Sequence, residues 1–275
     1  MLQFEAEVLA NRTVAPAWKE MALRWAAEAG PPLPGHFVTL RSTRGYDPLL
    51  RRPFAIASFE ERGREGPAVT ILYQVRGPAT ALLSDLGPGS TVDLLGPLGR
   101  PFPDPLPGES PLLAAGGVGL GPVLFLARRL ASRGKAAPFA VGFRTASALP
   151  DIAFPPGTVL CTDDGSAGER GTPLDWMSHN APQGAARLLA CGPAAMLAAA
   201  ARLARERGWS ASLSAEQWMA CGVGVCMGCV LPRPAGAGFL RACADGPVFG
   251  LDEIDWEAEA RRSAPPAAAA KGGRP

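Results

Sequence analysis

The sequence predicts a β barrel followed by an α/β domain, with a cysteine loop near the C-terminal end. Three observations carry this. Residues 1 to about 105 read as short apolar runs cut by Gly and Pro, the mark of a barrel or sandwich of short strands. From about 110, strand-like runs alternate with helix-forming stretches, as in a parallel sheet covered on both faces. Late in the chain, Cys221, Cys226, Cys229 and Cys243 stand in the spacing C-x4-C-x2-C-x13-C.

In the first part, Phe4–Leu9 alternates and suits a strand. Trp18–Ala29 has the Ala, Glu, Leu and Arg content of a helix, yet Met21, Leu23 and Trp25 alternate as in a strand. Further strands are expected at 36–40, 55–57, 69–75 and 91–95, the last closed by Gly96-Pro97. Arg52 stands before the rigid Pro53, with Phe54 and Ala55 following. Its planar fork suits a phosphate, and the backbone beyond can lie along a flat ring; the plain alternative is a pair of solvated arginines, Arg51 and Arg52, at a strand start. Gly77-Pro78-Ala79-Thr80 offers backbone N–H groups and a hydroxyl to a pyrophosphate, or is an ordinary turn into a short helix.

The second part opens with a buried strand at Leu112–Ala115, then Gly116-Gly117-Val118-Gly119, then a helix from Val123 to Arg133 stopped by Gly134. Strand, glycine turn and helix aim a helix N-terminus at a dinucleotide pyrophosphate, although the G-x-G-x-x-G fingerprint is absent and a glycine-rich connector remains the alternative. Strands follow at 139–144, 159–162 and 188–191, and a helix at Ala194–Arg207 ends at Gly208. Gly116, Gly117, Gly119, Asp163, Asp164, Cys191 and Gly192 all fall at C-terminal strand ends, where such sheets bind ligands. For Asp163-Asp164-Gly165, turn chemistry is the alternative.

The cysteine spacing begins as the plant-type [2Fe–2S] pattern does and ends with a distant cysteine. Gly222, Gly224 and Gly228 permit the tight turns a loop around a cluster needs. Zinc sites favour two well-separated C-x2-C pairs, which this spacing does not supply. Cys161 and Cys191, outside the motif, read as small buried residues; His36 and His179 are isolated and read as structural. The 275 residues suit two domains and carry 27 basic and 25 acidic side chains, net +2. No block of like charge points to nucleic acid or an anionic membrane, and no apolar run reaches a membrane span. Thiols without a leader of signal-peptide type point to the cytoplasm.

The order of Arg52-Pro53-Phe54-Ala55-Ile56, Leu94-Leu95-Gly96-Pro97-Leu98-Gly99, Gly116-Gly117-Val118-Gly119, Cys191-Gly192-Pro193 and the cysteine loop resembles ferredoxin–NADP reductase-type flavoproteins. More narrowly, Asp163–Gly168, Ser212-Leu213, Glu216, Met219–Gly224 and Cys243–Phe249 resemble the electron-transfer subunits of class 1B dihydroorotate dehydrogenases, over roughly residues 1–250. The resemblance implies an N-terminal antiparallel FAD-binding barrel (1–105), a Rossmann-like NAD-binding α/β domain (106–210) and a [2Fe–2S] segment (211–256); the tail (257–275), with no core-forming residues beyond alanine, is expected to be disordered. The resemblance implies that Arg52, Pro53, Phe54, Ala55, Leu72, Tyr73, Gln74, Ala79 and Thr80 line FAD. Gly116, Gly117, Gly119, Cys191 and Gly192 would face the nicotinamide nucleotide, and the four cysteines would hold the cluster. It makes Trp18–Ala29 a strand. It implies electrons passing from dihydroorotate oxidation in an FMN-containing partner, through the cluster and FAD, to NAD⁺, in a heterotetramer serving pyrimidine biosynthesis. No catalytic residue is expected in this chain. Related readings are a hydrogenase or sulfhydrogenase gamma-like subunit, a ferredoxin–NAD(P) oxidoreductase subunit, and a non-enzymatic structural zinc adaptor. Two positions depart from the family: Ala55 stands where serine is usual, and Gly77-Pro78-Ala79-Thr80 where Gly-x-Gly-Thr is usual. Arg144 either reaches a 2′-phosphate or sits at a strand end, which leaves NAD against NADP open.

Overall fold

The computed structural model describes residues 1–63, 66–181 and 184–264. Six strands close into an antiparallel barrel: β1 (Leu2–Ala15), β2 (Trp18–Arg24), β3 (Phe37–Arg41), β4 (Arg52–Gly63), β5 (Gly66–Gln74) and β6 (Thr91–Leu98), in the order β1-β2-β5-β4-β3-β6. A short helix, α1 (Pro78–Ser84), joins β5 to β6. Alternate residues of each strand fill the interior, among them Val8, Met21, Leu23, Val38, Leu40, Ile56, Val69, Ile71 and Leu94, all fully buried. That period of two decides the ambiguous stretch. Met21 and Leu23 point inward only if the chain is extended, and β2 gains pairing partners in both β1 and β5. Tertiary pairing thus overrides helix propensity, which survives only in a 3-10 turn at Ala27–Ala29.

The α/β domain runs β7 (Ser110–Gly116), α2 (Leu120–Ser132), β8 (Phe139–Phe143), β9 (Val159–Thr162), β10 (Glu169–Arg170), α3 (Pro173–Asn180), β11 (Ala186–Cys191), α4 (Ala194–Arg207) and β12 (Ser210–Ser214). The cysteine segment contributes the hairpin β13 (Val230–Pro232) and β14 (Phe239–Arg241), then β15 (Val248–Gly250) and α5 (Trp256–Ser263). The large sheet has the order β10-β9-β8-β7-β11-β12-β15, parallel except for β15. Helix α2 is apolar nearly all round, as a helix buried on every side must be. Phe125 joins the hydrophobic cluster of the barrel, while Leu120, Val123, Leu124 and Leu126 join the core against the sheet. One helix therefore belongs to both cores.

Two expectations need adjusting. The sheet crosses the boundary expected at 210/211, because β12 and β15 are both strands of it. The stretch from 257, expected to be disordered, begins instead within α5. Asp255 caps this helix by accepting from the Ala258 amide at 2.9 Å, and Trp256 is buried beneath it. The alanine-rich composition of the tail obscured this Asp-Trp start. The remainder of the expected tail, 265–275, lies outside the described residues.

The parallel strands are locked at one end by Glu109. It accepts from Arg187 Nε on β11 at 2.7 Å, from Ser210 Oγ on β12 at 2.8 Å and from the Leu106 amide at 3.0 Å. The Arg187 hydrogen bond is the main reason its carboxyl is held down at about 2, against an ordinary 4.5. A depressed carboxyl stabilises the fold above its unfolded value and loses that contribution as pH falls through the folded one. E109Q should therefore cost about 2 kcal/mol at pH 7. The gap from wild type should narrow below pH 4.5 and close near pH 2, read by far-UV circular dichroism in urea titrations.

Candidate redox site

The site is built at the seam between barrel, sheet and cysteine segment. A cavity of about 280 Å³ opens where β4 and β5 end against β12. Pro53, Phe54, Ala55, Leu72, Tyr73 and Gln74 form its barrel wall, and Cys191, Ser214 and Glu216 form the opposite wall. Phe54 and Tyr73 meet edge to face with centroids 5.6 Å apart. Burial pushes the Tyr73 phenol up to about 12, so it stays neutral and hydrogen-bonds to Asn11 Oδ1 at 3.1 Å. A mostly apolar slot with a few fixed polar groups suits a flat aromatic ring system.

Six of the nine expected flavin residues line this cavity; Arg52, Ala79 and Thr80 do not. Arg52 donates to the Leu50 carbonyl at 2.6 Å. The Thr80 hydroxyl receives the Arg76 and Gly77 amides at 2.9 and 3.1 Å, and Ala79 is buried at the start of α1. Arg52 and Thr80 thus bond to backbone of their own turns, and Ala79 packs inside, apart from the cavity wall.

A second cavity of about 600 Å³ adjoins the first. Gly116, Gly117, Arg144, Asp163 and Met196 line it, and Gln74, Arg76, Val118 and Glu216 line both cavities. The expected glycines meet the Cys191-Gly192 turn at close range. A β-carbon on Gly119 would lie 2.3 Å from the Cys191 carbonyl oxygen, and one on Gly192 would lie 3.3 Å from the Gly116 nitrogen. Hydrogen is thus the only side chain that lets β7 and β11 present adjoining backbone turns here. Met196, absent from the sequence expectations, closes the turn; its sulfur would clash with a β-carbon on Gly116 or Gly192. Burial pushes the Cys191 thiol up, so it is inert as a nucleophile.

The cysteine loop begins and ends at the first cavity, whose wall includes Met219 and Pro247. Its sulfurs fall into two pairs. Cys229 and Cys243 are buried with sulfurs 3.2 Å apart. Cys221, half-buried, is hydrogen-bonded to Cys226, which is exposed. Two thiolates for each of two irons is the division a [2Fe–2S] cluster requires. Among the described residues, no three His, Cys, Asp or Glu side chains gather as around a single ion. Backbone amides already point at sulfur: Val223 N to Cys221 and Gly228 N to Cys226, each at 3.4 Å. Burial opposes ionisation of Cys221, but the Val223, Cys226 and Val225 backbone amides and the Cys226 side chain prevail and hold its thiol down at about 6. Gly222 and Gly224 take φ of 72° and 87°; at both, the left-handed backbone demands glycine. Met227 also has φ of 58°, a strain that surrounding contacts must sustain.

One clasp escaped the sequence reading. Arg241 forks onto both Asp245 oxygens at 2.9 Å and donates its remaining arm to the Gly224 carbonyl at 2.6 Å. It fastens the Cys221–Cys229 turn to the Cys243 end. The i,i+4 spacing of Arg241 and Asp245, flanking Cys243, was the available signal.

The family model for the iron–sulfur cluster binding domain of dihydroorotate dehydrogenase B matches residues 216–255. The protein named dihydroorotate dehydrogenase B (NAD(+)), electron transfer subunit, of Geobacillus thermodenitrificans (strain NG80-2) is 38% identical over 255 residues, covering 90% of this chain and 96% of its own. A protein of the same name from Listeria monocytogenes (strain EGD-e) is 36% identical over 261 residues, covering 92% and 99%. Among solved structures, that of the NADH-dependent reduced ferredoxin-NADP oxidoreductase superposes with a TM-score of 0.80 at 27% identity, covering 94% of this chain and 92% of its own. Phthalate dioxygenase reductase, at 19% identity and a TM-score of 0.55, shares the fold.

Two substitutions separate the centres. C226S should lower iron and acid-labile sulfide while leaving flavin content unchanged, measured on protein purified anaerobically. G119A, by forcing the Cys191 turn away, should reduce kcat/KM for NADH with an artificial acceptor on the order of 100-fold at unchanged iron content.

Proposed function

The chain belongs to the electron-transfer subunits of dihydroorotate dehydrogenase B, and from that premise we propose an electron route laid out along its own seam. It is the electron-transfer component of an NAD-dependent oxidoreductase. FAD, a [2Fe–2S] cluster and NAD supply the redox chemistry when bound, the cluster one electron at a time and the flavin joining single-electron to hydride transfer. The cavity walls and the four cysteines fit these groups, and the protein's part is distance, orientation and exclusion of water.

Pro53, Phe54, Leu72 and Tyr73 would line one side of the flavin, with Cys191 and Ser214 on the opposite wall. Gly116, Gly117, Gly119 and Gly192 let the backbone approach the nicotinamide nucleotide. Gln74, Arg76, Val118 and Glu216, shared by both cavities, would be in reach of both the flavin and the nucleotide. Cys221, Cys226, Cys229 and Cys243 would hold the cluster through their sulfurs. The observation that carries this reading is the continuity of the three sites: nucleotide cavity, flavin cavity and cysteine loop share walls without interruption.

The name of the relatives implies a catalytic partner subunit. We propose that this partner carries FMN and oxidises dihydroorotate, in a heterotetramer in the cytoplasm. The support for a docking face lies on the outer side of the cysteine loop. Val225, 77% exposed, and Met227, 53%, flank the exposed Cys226 in the chain, and Trp218, 92% exposed, precedes Cys221. Apolar side chains gathered beside a redox centre suit a partner that must approach closely. Six free cysteines suit a reducing compartment, and among the described residues no helix is long and apolar enough to cross a membrane. The solved oxidoreductase at 27% identity supports a second reading, the same module serving another electron donor.

The test is dihydroorotate-dependent NAD⁺ reduction by the complex purified anaerobically from its host. Activity that co-purifies with an FMN subunit and disappears on separation supports the first reading. Inactivity with intact flavin and cluster signals moves the assignment to the second. V225D should weaken partner association about tenfold or more, read by size-exclusion chromatography, with NADH–acceptor activity of the free subunit unchanged.

A further inference from the structure

Thr39 lies at the centre of β3, 2% exposed, and among the described residues its hydroxyl oxygen has no hydrogen-bond partner. A buried, unpaired hydroxyl costs about 1–3 kcal/mol, so its place needs a reason. Strand alternation gives the direction. Val38 and Leu40 fill the barrel interior, which turns Phe37 and Thr39 outward. Outside the barrel, Phe37 and Leu98 pack in one cluster with Cys229 and Cys243. The Thr39 methyl, Cγ2, would lie only 3.0 Å from a β-carbon on Gly222, the residue after Cys221. Across the strand, Thr39 pairs with Pro53, part of the flavin cavity wall. Thr39 is therefore one strand from the flavin cavity and in contact with the cysteine loop. Its methyl already packs on that loop, and its hydroxyl hydrogen is unspent.

We propose that Thr39 is a positioning residue for electron transfer: its hydroxyl donates a hydrogen bond to a sulfur of the bound [2Fe–2S] group and raises the potential of that group. This rests on the cluster reading above. A donor aimed at sulfur stabilises the reduced, more negative cluster, and hydrogen bonds to sulfur are among the levers that set cluster potentials. Valine is close in shape to threonine and removes only the donor, so the packing on Gly222 is retained.

The test is an EPR-monitored redox titration of the anaerobically purified holoprotein. Wild type, T39V and T39S are compared, with iron and flavin content measured on each. The expected result is a lower potential in T39V, with about a tenfold loss in the electron-exchange constant, ~59 mV for a one-electron couple, and restoration in T39S. If T39V does not fold, T39A removes the same donor and is read in the same way. Superimposable titrations of wild type and the donor-less variant, with full cluster content in both, overturn the inference and leave the cluster reading intact. A wild-type protein without a [2Fe–2S] signal overturns both.

Discussion

Everything at the site depends on the pairing of β12 with β15. Ser214 stands opposite Val248, and the Ala215 amide donates to the Pro247 carbonyl at 2.9 Å. Between those residues the chain leaves the sheet, carries all four motif cysteines and returns. Closing so long an excursion costs entropy that grows only slowly with length, and a short antiparallel ladder at its neck is enough to fix both ends. The barrel then braces the neck from the other side. Arg100 donates to the Val248 carbonyl at 2.7 Å and to Glu253 at 2.6 Å. A β-carbon on Gly99 would collide with Pro247 at 2.5 Å. Helix α5 adds a third brace, since Glu259 accepts hydrogen bonds from Gln217, just before the first cysteine, and from Ser263. A loop with little regular structure is thus held rigidly by what surrounds its neck.

Much of this was legible in the sequence because it is local. Helix Ala194–Arg207 and strand Val159–Thr162 carry their own stop signals and periodicity, and they occur with the bounds expected. The cysteine spacing is a local signal for four thiols, and the resemblance singled out Pro53, Phe54, Ala55, Leu72, Tyr73 and Gln74, which line one cavity. What was not legible is relational. Strand β2 is extended because β1 and β5 flank it, a fact about neighbours and not about Trp18–Arg24. Strand β15 is three residues long and exists because β12 offers an edge. Met196 matters through its distance to two glycines far away in the chain. Arg52, Ala79 and Thr80 are satisfied by their own turns, so a motif match alone does not say which way a side chain faces.

The two departures from the family pattern have different weights. Ala55 lies on the wall of the first cavity, so the missing hydroxyl leaves that stretch of wall apolar; Ser214, on the opposite wall, brings a hydroxyl to the Cys191 thiol. Pro78 stands in the first turn of α1, a position with no N–H to lose to the helix, and the Arg76 and Gly77 amides close onto Thr80. The altered turn is therefore internally satisfied.

The cysteines are unequal in their shelter. Cys229 and Cys243 are sealed in the same apolar core as Phe37, Leu98 and Phe249, whereas Cys226 faces water. Oxidants and chelators can reach such a centre from one side only. The lifetime of the centre in the free subunit is then set at the Cys226 edge, and any partner seated over Val225 and Met227 acts as its lid. Assembly, on this arrangement, is also preservation.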